Sequence, residues 1–303
     1  MNSSLESRNA VLAIDCGGTK ISGAIVDSGF RIVAHETVPS RDTVAGIADP
    51  QLFQTKALIS SLIARANDLG ITLVGAAAGF PEYVNLRGLL TTRENIDWPE
   101  QPKDDFARLT SFPWVIESDV RCAGLAEARF GSARESSDFV YITISSGISH
   151  THFLNGKAVT GEDGEAIGFG VKEIDIAGVS IPLENYSSGL GIARRFGLIS
   201  GEYSHNAREI FNHYQSDTSA REIIDTAAEL LGTEIAEFAQ SLPTKLIVLG
   251  GGLWLGSQKY RDLVSAAYLI ASESMGFTPQ ILNAEVEHSG VIGAAIYAFG
   301  ELL

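Results

Sequence analysis

The chain has 303 residues, enough for one large or two medium domains with a full core, and its 45% hydrophobic and 19% charged content is ordinary for a soluble globular protein. A formal net charge of −15 argues against nucleic acid and anionic membrane, since both repel such a surface, and leaves a small metabolite as the expected partner. Cys16 and Cys122 are the two cysteines, far apart and with no CxxC pair or histidine cluster, so neither a zinc site nor a disulfide framework is expected. The stretch Met1 to Asn9 is polar and too short for a signal-peptide core, and no apolar run is long enough to span a bilayer, so the chain reads as cytoplasmic.

In chain order, 11–14, 22–27 and 30–38 read as consecutive strands on short connections, the last through Asp27-Ser28-Gly29, and hence as antiparallel. Asp49-Pro50 reads as the cap and first turn of a helix in which Leu52, Ile59, Leu62, Ile63 and Ala66 recur near helical spacing. Residues 74–78 form a buried strand ended by Gly79-Phe80-Pro81, and 113–116 form another, after which Ser118 or Asp119 caps a small-residue helix to about Phe130. The strand 139–144 ends in Ser145-Ser146-Gly147, repeating in outline the strand and turn of 11–19, and so reads as a structural duplication. A helix on 219–241 begun by Ser219, a strand 245–249 entering Gly250-Gly251-Gly252, and an apolar helix 291–303 capped by Ser289 complete the series. No low-complexity linker separates the halves, which places the domain boundary near Glu117–Asp119.

Chemistry concentrates at the strand ends. Val11-Leu12-Ala13-Ile14 delivers Asp15 and then Gly17-Gly18-Thr19-Lys20, so a buried strand stops at an acid and bends where backbone N–H groups, a hydroxyl and a metal-binding carboxylate can surround a phosphate. Taken alone, the same residues also suit an ordinary hairpin in which Asp15 merely ends the strand. The small turns at Ser145–Ser149 and Gly250–Gly252, with Glu117-Ser118-Asp119 at another strand-to-helix junction, add what a lone hairpin lacks. In an open α/β sheet such turns line one edge, where ligands bind, and together they describe a nucleotide cleft with a base.

With these residues in place, the chain resembles the ROK family of sugar kinases and repressors, within the actin-like ATPase superfamily. Asp15-Cys16-Gly17-Gly18-Thr19-Lys20 is similar to the family's DxGGTK, Asn95-Ile96-Asp97-Trp98 to its NxxW loop, and Leu183-Glu184-Asn185-Tyr186-Ser187-Ser188-Gly189 to its LExxxSG segment. Gly250-Gly251-Gly252 is similar to its adenosine-side glycines and Gly293-Ala294-Ala295 to its closing helix. The resemblance implies two ribonuclease H-like lobes, each a mixed five-stranded sheet flanked by helices, with an interlobe cleft. The implied N-terminal lobe is 1–117, completed by 291–303, and the larger C-terminal lobe is 118–290. It further implies ATP and Mg²⁺, a hexose or amino-hexose acceptor, direct transfer without a phosphoenzyme, and a homodimer. Asp119 would be the general base, Asp15 would hold Mg²⁺ through water, and Gly17, Gly18, Thr19, Lys20, Ser146, Gly147 and Gly250–Gly252 would face the nucleotide. Asn95, Ser118, Asp119, Glu165, Glu184 and Glu82 would face the sugar.

The sequence also departs from that pattern. The second phosphate turn is Ser145-Ser146-Gly147-Ile148-Ser149-His150, with a single glycine, and each added Cβ restricts backbone approach to an anion. Ser118 stands where the family has Asn, the ExGH histidine is missing, and either Glu165 or Glu162 is its retained acid. The family's zinc cluster is absent, in line with the cysteine count. Ten residues before the first strand leave no room for the repressors' helix-turn-helix domain. The readings left standing are a sugar kinase and, as the alternative, a catalytically weakened sugar or nucleotide sensor of the same fold.

Overall fold

A computed structural model describes residues 8–40, 49–98, 100–201 and 207–302. The chain divides into two compact units, one of Met1–Gly131, Thr160–Ala166 and Val286–Leu303, the other of Ser132–Val159 and Ile167–Glu285. The first seven residues, on which the reading of a polar amino terminus rests, lie outside the described residues, as does Leu303.

The first unit opens with β1 (Arg8–Cys16), β2 (Lys20–Asp27) and β3 (Ile32–Pro39), continues through α1 (Phe53–Asp68) to β4 (Ile71–Phe80), and then through α2 (Pro102–Ala107) to β5 (Trp114–Ser118) and α3 (Asp119–Phe130). Its sheet order is β3-β2-β1-β4-β5, antiparallel across β1, β2 and β3 and parallel from β1 to β4 to β5. Every residue from Ala10 to Ile14 is fully buried because both faces of β1 are covered, which is why the sequence shows a continuous apolar run there and no alternation. Leu12, Ile14 and Cys16 pack with Leu58, Ile59 and Leu62 of α1, while Val11 and Ala13 pack on the opposite face with Cys122 and Ala126 of α3. That parity turns Asp15, an odd-numbered residue, toward the α3 face.

Helix α1 begins later than its sequence predicts. Asp49, Gln51 and Leu52 take positive φ angles of 45°, 54° and 58°, and Pro50–Leu52 is a short 3₁₀ turn. The Asp49 carboxylate still caps the helix, accepting the N–H groups of Gln54 at 2.6 Å and Thr55 at 3.0 Å.

The second unit contains β6 (Phe139–Ile144), β7 (Ile148–Leu154), β8 (Lys157–Ala158), a small hairpin of β9 (Glu173–Ile176) and β10 (Val179–Pro182), then α4 (Leu183–Ser187), α5 (Gly189–Ser200), α6 (Ala207–Asn212) and α7 (Thr218–Gln240). It closes with β11 (Leu246–Gly250), α8 (Gly252–Gly256), α9 (Gln258–Met275) and β12 (Gln280–Asn283). Its five-stranded sheet reads β12-β11-β6-β7-β8, with β6, β7 and β8 antiparallel and β11 parallel to both β6 and β12. Reversed, this is the order and sense of the first sheet, so the repeat read from the 139–147 segment extends to all five strands. Val140, Ile142 and Ile144 pack with Ile223, Ala227 and Leu231 of α7. Asp217, and not Ser219, caps α7, accepting the N–H groups of Ser219 at 2.7 Å and Ala220 at 3.1 Å.

Helix α10 (Ser289–Leu302) returns to the first unit, where Val291, Ala294, Ala295 and Ala298 pack in the core with α3. A Cβ on Gly293 would lie 1.7 Å from the Cys122 carbonyl oxygen, so the two helices cross at a distance only glycine permits. This packing ties α3 to the first unit, so the change of unit falls after Gly131, beyond the 117/118 boundary drawn from sequence. Among the described residues no helix is long and apolar enough to cross a membrane.

Candidate active site

The parallel register brings Asp15 beside Gly79 on β4, and Gly79 beside Glu117 on β5. Asp119 follows at the first turn of α3, so the strand ends set Asp15 and Asp119 on either side of Gly79. A Cβ on Gly79 would stand 3.2 Å from the Asp119 Cα and 3.4 Å from Cys122 Sγ, which is why a glycine occupies that position. Gly290, at the start of α10, meets Asp15 from another side: a Cβ there would lie 2.3 Å from Asp15 Oδ2.

Both acids bind protons more tightly than a free carboxylate. Burial pushes Asp15 up to about 6 against the opposing pull of Lys20. Burial, with the negative charge of Asp15 and more weakly of Glu82, pushes Asp119 up to about 8, although its Oδ1 accepts the Val120 N–H at 2.6 Å. Gly17 and Gly18 form the turn after β1. The Gly17 N–H bonds the Lys20 carbonyl at 3.0 Å, and among the described residues no atom comes within 4 Å of where a Gly18 side chain would stand. Ser40 braces this turn by donating its hydroxyl to the Gly17 carbonyl at 2.9 Å and its N–H to the Thr19 carbonyl at 3.2 Å. Thr19 and Lys20 are exposed.

The other residues expected at the sugar take more specific positions. Glu82 is only 2% exposed, and its carboxylate accepts the N–H groups of Glu94, Asn95 and Ile96 and the Thr92 hydroxyl, at 2.6–3.1 Å. It pins the 92–96 loop from within, and that loop carries Asn95, another residue expected at the sugar. Asn95, on that loop, is exposed and donates its amide to the Pro81 carbonyl at 2.7 Å. Ser118 is fully buried at the α3 N-cap position, yet its hydroxyl makes no capping bond and has no hydrogen-bond partner among the described residues. Glu165 is exposed and accepts the Asp163 N–H at 2.9 Å; backbone N–H groups of its own turn, foremost its own, hold its carboxyl below the usual range.

In the second unit, the 145–148 turn is clasped by the segment that begins at Leu183. Glu184 Oε2 accepts the Ile148 N–H at 3.2 Å and lies where a Gly147 side chain would be, while Gly189 and Leu190 donate N–H groups to the carbonyls of Ser145 and Ser146 at 2.8 and 3.1 Å. Glu184 therefore engages the phosphate-type turn itself. Gly251, at φ 91°, packs onto the Ile144 backbone, and a Cβ on Gly252 would lie 3.4 Å from Ser145 Oγ, so the turns after β6 and β11 meet. His150 is a core histidine: its Nδ1 accepts the Phe169 N–H at 3.1 Å, and burial pushes it down to about 4, leaving it neutral.

The ROK family sequence model matches residues 11–301. The chain belongs to the ROK family. It is 30% identical over 307 residues to an N-acetylmannosamine kinase of Escherichia coli O1:K1 / APEC, covering 96% of this chain and 99% of that protein. The N-acetylmannosamine kinase of Shigella flexneri is 30% identical over 308 residues, covering 97% and 99%. Two solved ROK structures share the fold at 24% identity: a glucokinase from Streptomyces griseus in complex with glucose and AMPPNP, at a TM-score of 0.78 with 96% and 99% of the chains covered, and a hexokinase from Thermus thermophilus, at 0.77 with 96% and 98%. Sequence reasoning singled out Asp15 and Asp119 but not Ser40, Gly79 and Gly290, which pack about these acids and the Gly17 turn. The unusually small residues opposite the two acids were the available signal for the glycines.

Proposed function

We propose that this ROK chain transfers the γ-phosphoryl group of ATP in line to a hydroxyl of a hexose or amino-hexose, with Asp119 as general base. That the chain is a sugar kinase rests on its family and on full-length similarity to curated kinases. The finer assignment is carried by one observation: Asp119 lies beside Asp15 at the edge where β1, β4 and β5 end, with its proton affinity raised to about 8. An acceptor hydroxyl attacking phosphorus must lose its proton, and a carboxylate with raised proton affinity takes it with a greater driving force than an ordinary aspartate once it is itself ionised, as it is above about pH 8. The oxygen–phosphorus bond forms as the bond to ADP breaks, and the proton moves to Asp119.

Asp15 suits Mg²⁺, because it offers hard carboxylate oxygen in a partly desolvated setting, and Mg²⁺ needs few protein ligands and keeps several waters. When bound, Mg²⁺ neutralises charge on the transferring phosphates. Gly17, Gly18 and Thr19 are proposed as phosphate donors, with Lys20 nearby as a point charge. Ser146, Gly147 and Gly250–Gly252 are proposed as nucleotide contacts, Asn95, Ser118, Glu165 and Glu184 as sugar-side residues with Glu82 holding the Asn95 loop, and a homodimer as the assembly. The curated relatives put N-acetylmannosamine first among the acceptors to test.

The test is ADP release with ATP and Mg²⁺ across N-acetylmannosamine, N-acetylglucosamine, glucosamine, mannose and glucose. Stimulation by at least one of them is expected. A weakened sensor is the second reading, favoured by the clasp of Glu184 on the 145–148 turn; sugar binding without stimulated release would establish it and overturn the kinase assignment.

A further inference from the structure

Arg121 lies on α3 two residues beyond Asp119, and its side chain is completely buried. A buried guanidinium must satisfy its donors inside the protein, and this one does so on three separate stretches of chain. Nε donates to Glu117 Oε1 at 2.6 Å, at the end of β5. Nη1 donates to the Gly164 carbonyl at 3.3 Å, and Nη2 to the Val84 carbonyl, just after β4. Gly164, at φ 88°, sits so close over Val84 that a Cβ would fall 2.4–2.5 Å from its backbone atoms, and the Thr91 hydroxyl holds the neighbouring Asp163 carbonyl. Thr160–Ala166 belongs to the first unit although the chain on both sides of it belongs to the second, and Arg121 is the charged group that anchors it there.

We propose that Arg121 is a positioning residue for the sugar, fixing the Glu165-bearing 160–166 segment and the 82–96 loop against the helix that carries Asp119. The inference rests on the sugar-kinase reading above and deepens it. Fully buried, Arg121 offers no surface to a ligand, so its influence passes through the loops it holds. A planar fork is required, because a lysine ammonium lacks the geometry to reach Glu117 and two carbonyls in different directions.

The test compares the full-length protein with Arg121→Lys, Arg121→Gln and Glu117→Gln. Amide hydrogen exchange in the absence of ligand is expected to accelerate about tenfold or more at 84–91 and 160–166 in both Arg121 variants, the size set by losing charge-assisted bonds, while β1 and β4 keep their protection. With N-acetylmannosamine as the probe, KM for the sugar is expected to rise about tenfold and KM for ATP to change less than about twofold. Glu117→Gln, which keeps the fork and one acceptor, is expected to fall between. Uniformly faster exchange across the first unit, or an unchanged sugar KM in the folded Arg121→Lys protein, would overturn the proposal. Should Arg121→Gln not fold, the lysine and Glu117 variants carry the same comparison. Failure of the kinase reading would show separately, as no sugar-dependent ADP release by the unaltered protein, and the exchange data would then decide the clamp alone.

Discussion

The turn after β1 and the turn after β6 occupy equivalent places in two sheets of the same strand order, yet one is open and the other is filled. In the first unit the acid comes from the strand itself, Asp15, and neighbouring positions carry no side chain: Gly18 meets none of the described residues, and Gly79 and Gly290 leave room for the two acids. In the second unit the strand ends at Ile144 without an acid, and a carboxylate reaches the turn from Glu184, far along the chain, to accept the Ile148 N–H. A repeated topology supplies equivalent backbone edges, and separate substitutions then decide what each edge can hold.

Substitutions at paired glycines should break this contrast most sharply. Gly290→Ala puts a Cβ 2.3 Å from Asp15 Oδ2 and 3.1 Å from the Asp15 Cβ, so the carboxylate must move; kcat/KM is expected to fall about 100-fold, the cost of misplacing a group at a reacting centre. Gly147→Ala meets only the far end of the Glu184 side chain, at 2.8 Å, and is expected to lose no more than about fivefold because that side chain can swing away. Steady-state kinetics of the two variants side by side check the ranking.

A second experiment sharpens the contrast between a carboxylate that serves chemistry and one that serves structure. Glu82→Gln sets an amide among donors that now share a carboxylate, and should cost about 1–3 kcal/mol, read as a fall in Tm of about 2–4 °C per kcal/mol.

A third contrast lies in pH dependence. With its pKa raised from 3.8 to about 8, folded Asp119 holds a proton that the unfolded chain has lost, so without metal its contribution to stability falls as pH rises from about 4 to about 8. Asp119→Asn should therefore gain stability relative to the unaltered protein across that window and show no further gain above it. Thermal melts between pH 4 and 9 in chelator check the sign.

The core strands and the two acids were legible in sequence because local pattern determines them. A continuous apolar run ending in Asp15 specifies a strand buried on both faces, and Asp119 between a short strand and a small-residue helix marks a sheet edge. Partners of the remaining polar residues were not legible, because distant contacts choose them. Glu82 takes its donors from the 92–96 loop, Glu184 takes the Ile148 N–H, and Arg121 is buried against Val84 and Gly164. Nothing local in the Thr160–Ala166 sequence marks it as joining the first unit.

The most direct measurement is single-turnover phosphoryl transfer by Asp119→Asn, with sugar affinity measured by calorimetry on the same protein. Loss of the proton acceptor should slow transfer by about 10²–10⁴-fold while sugar affinity stays within about threefold. Transfer at the unaltered rate would show that another group takes the proton and would contradict the role assigned to Asp119.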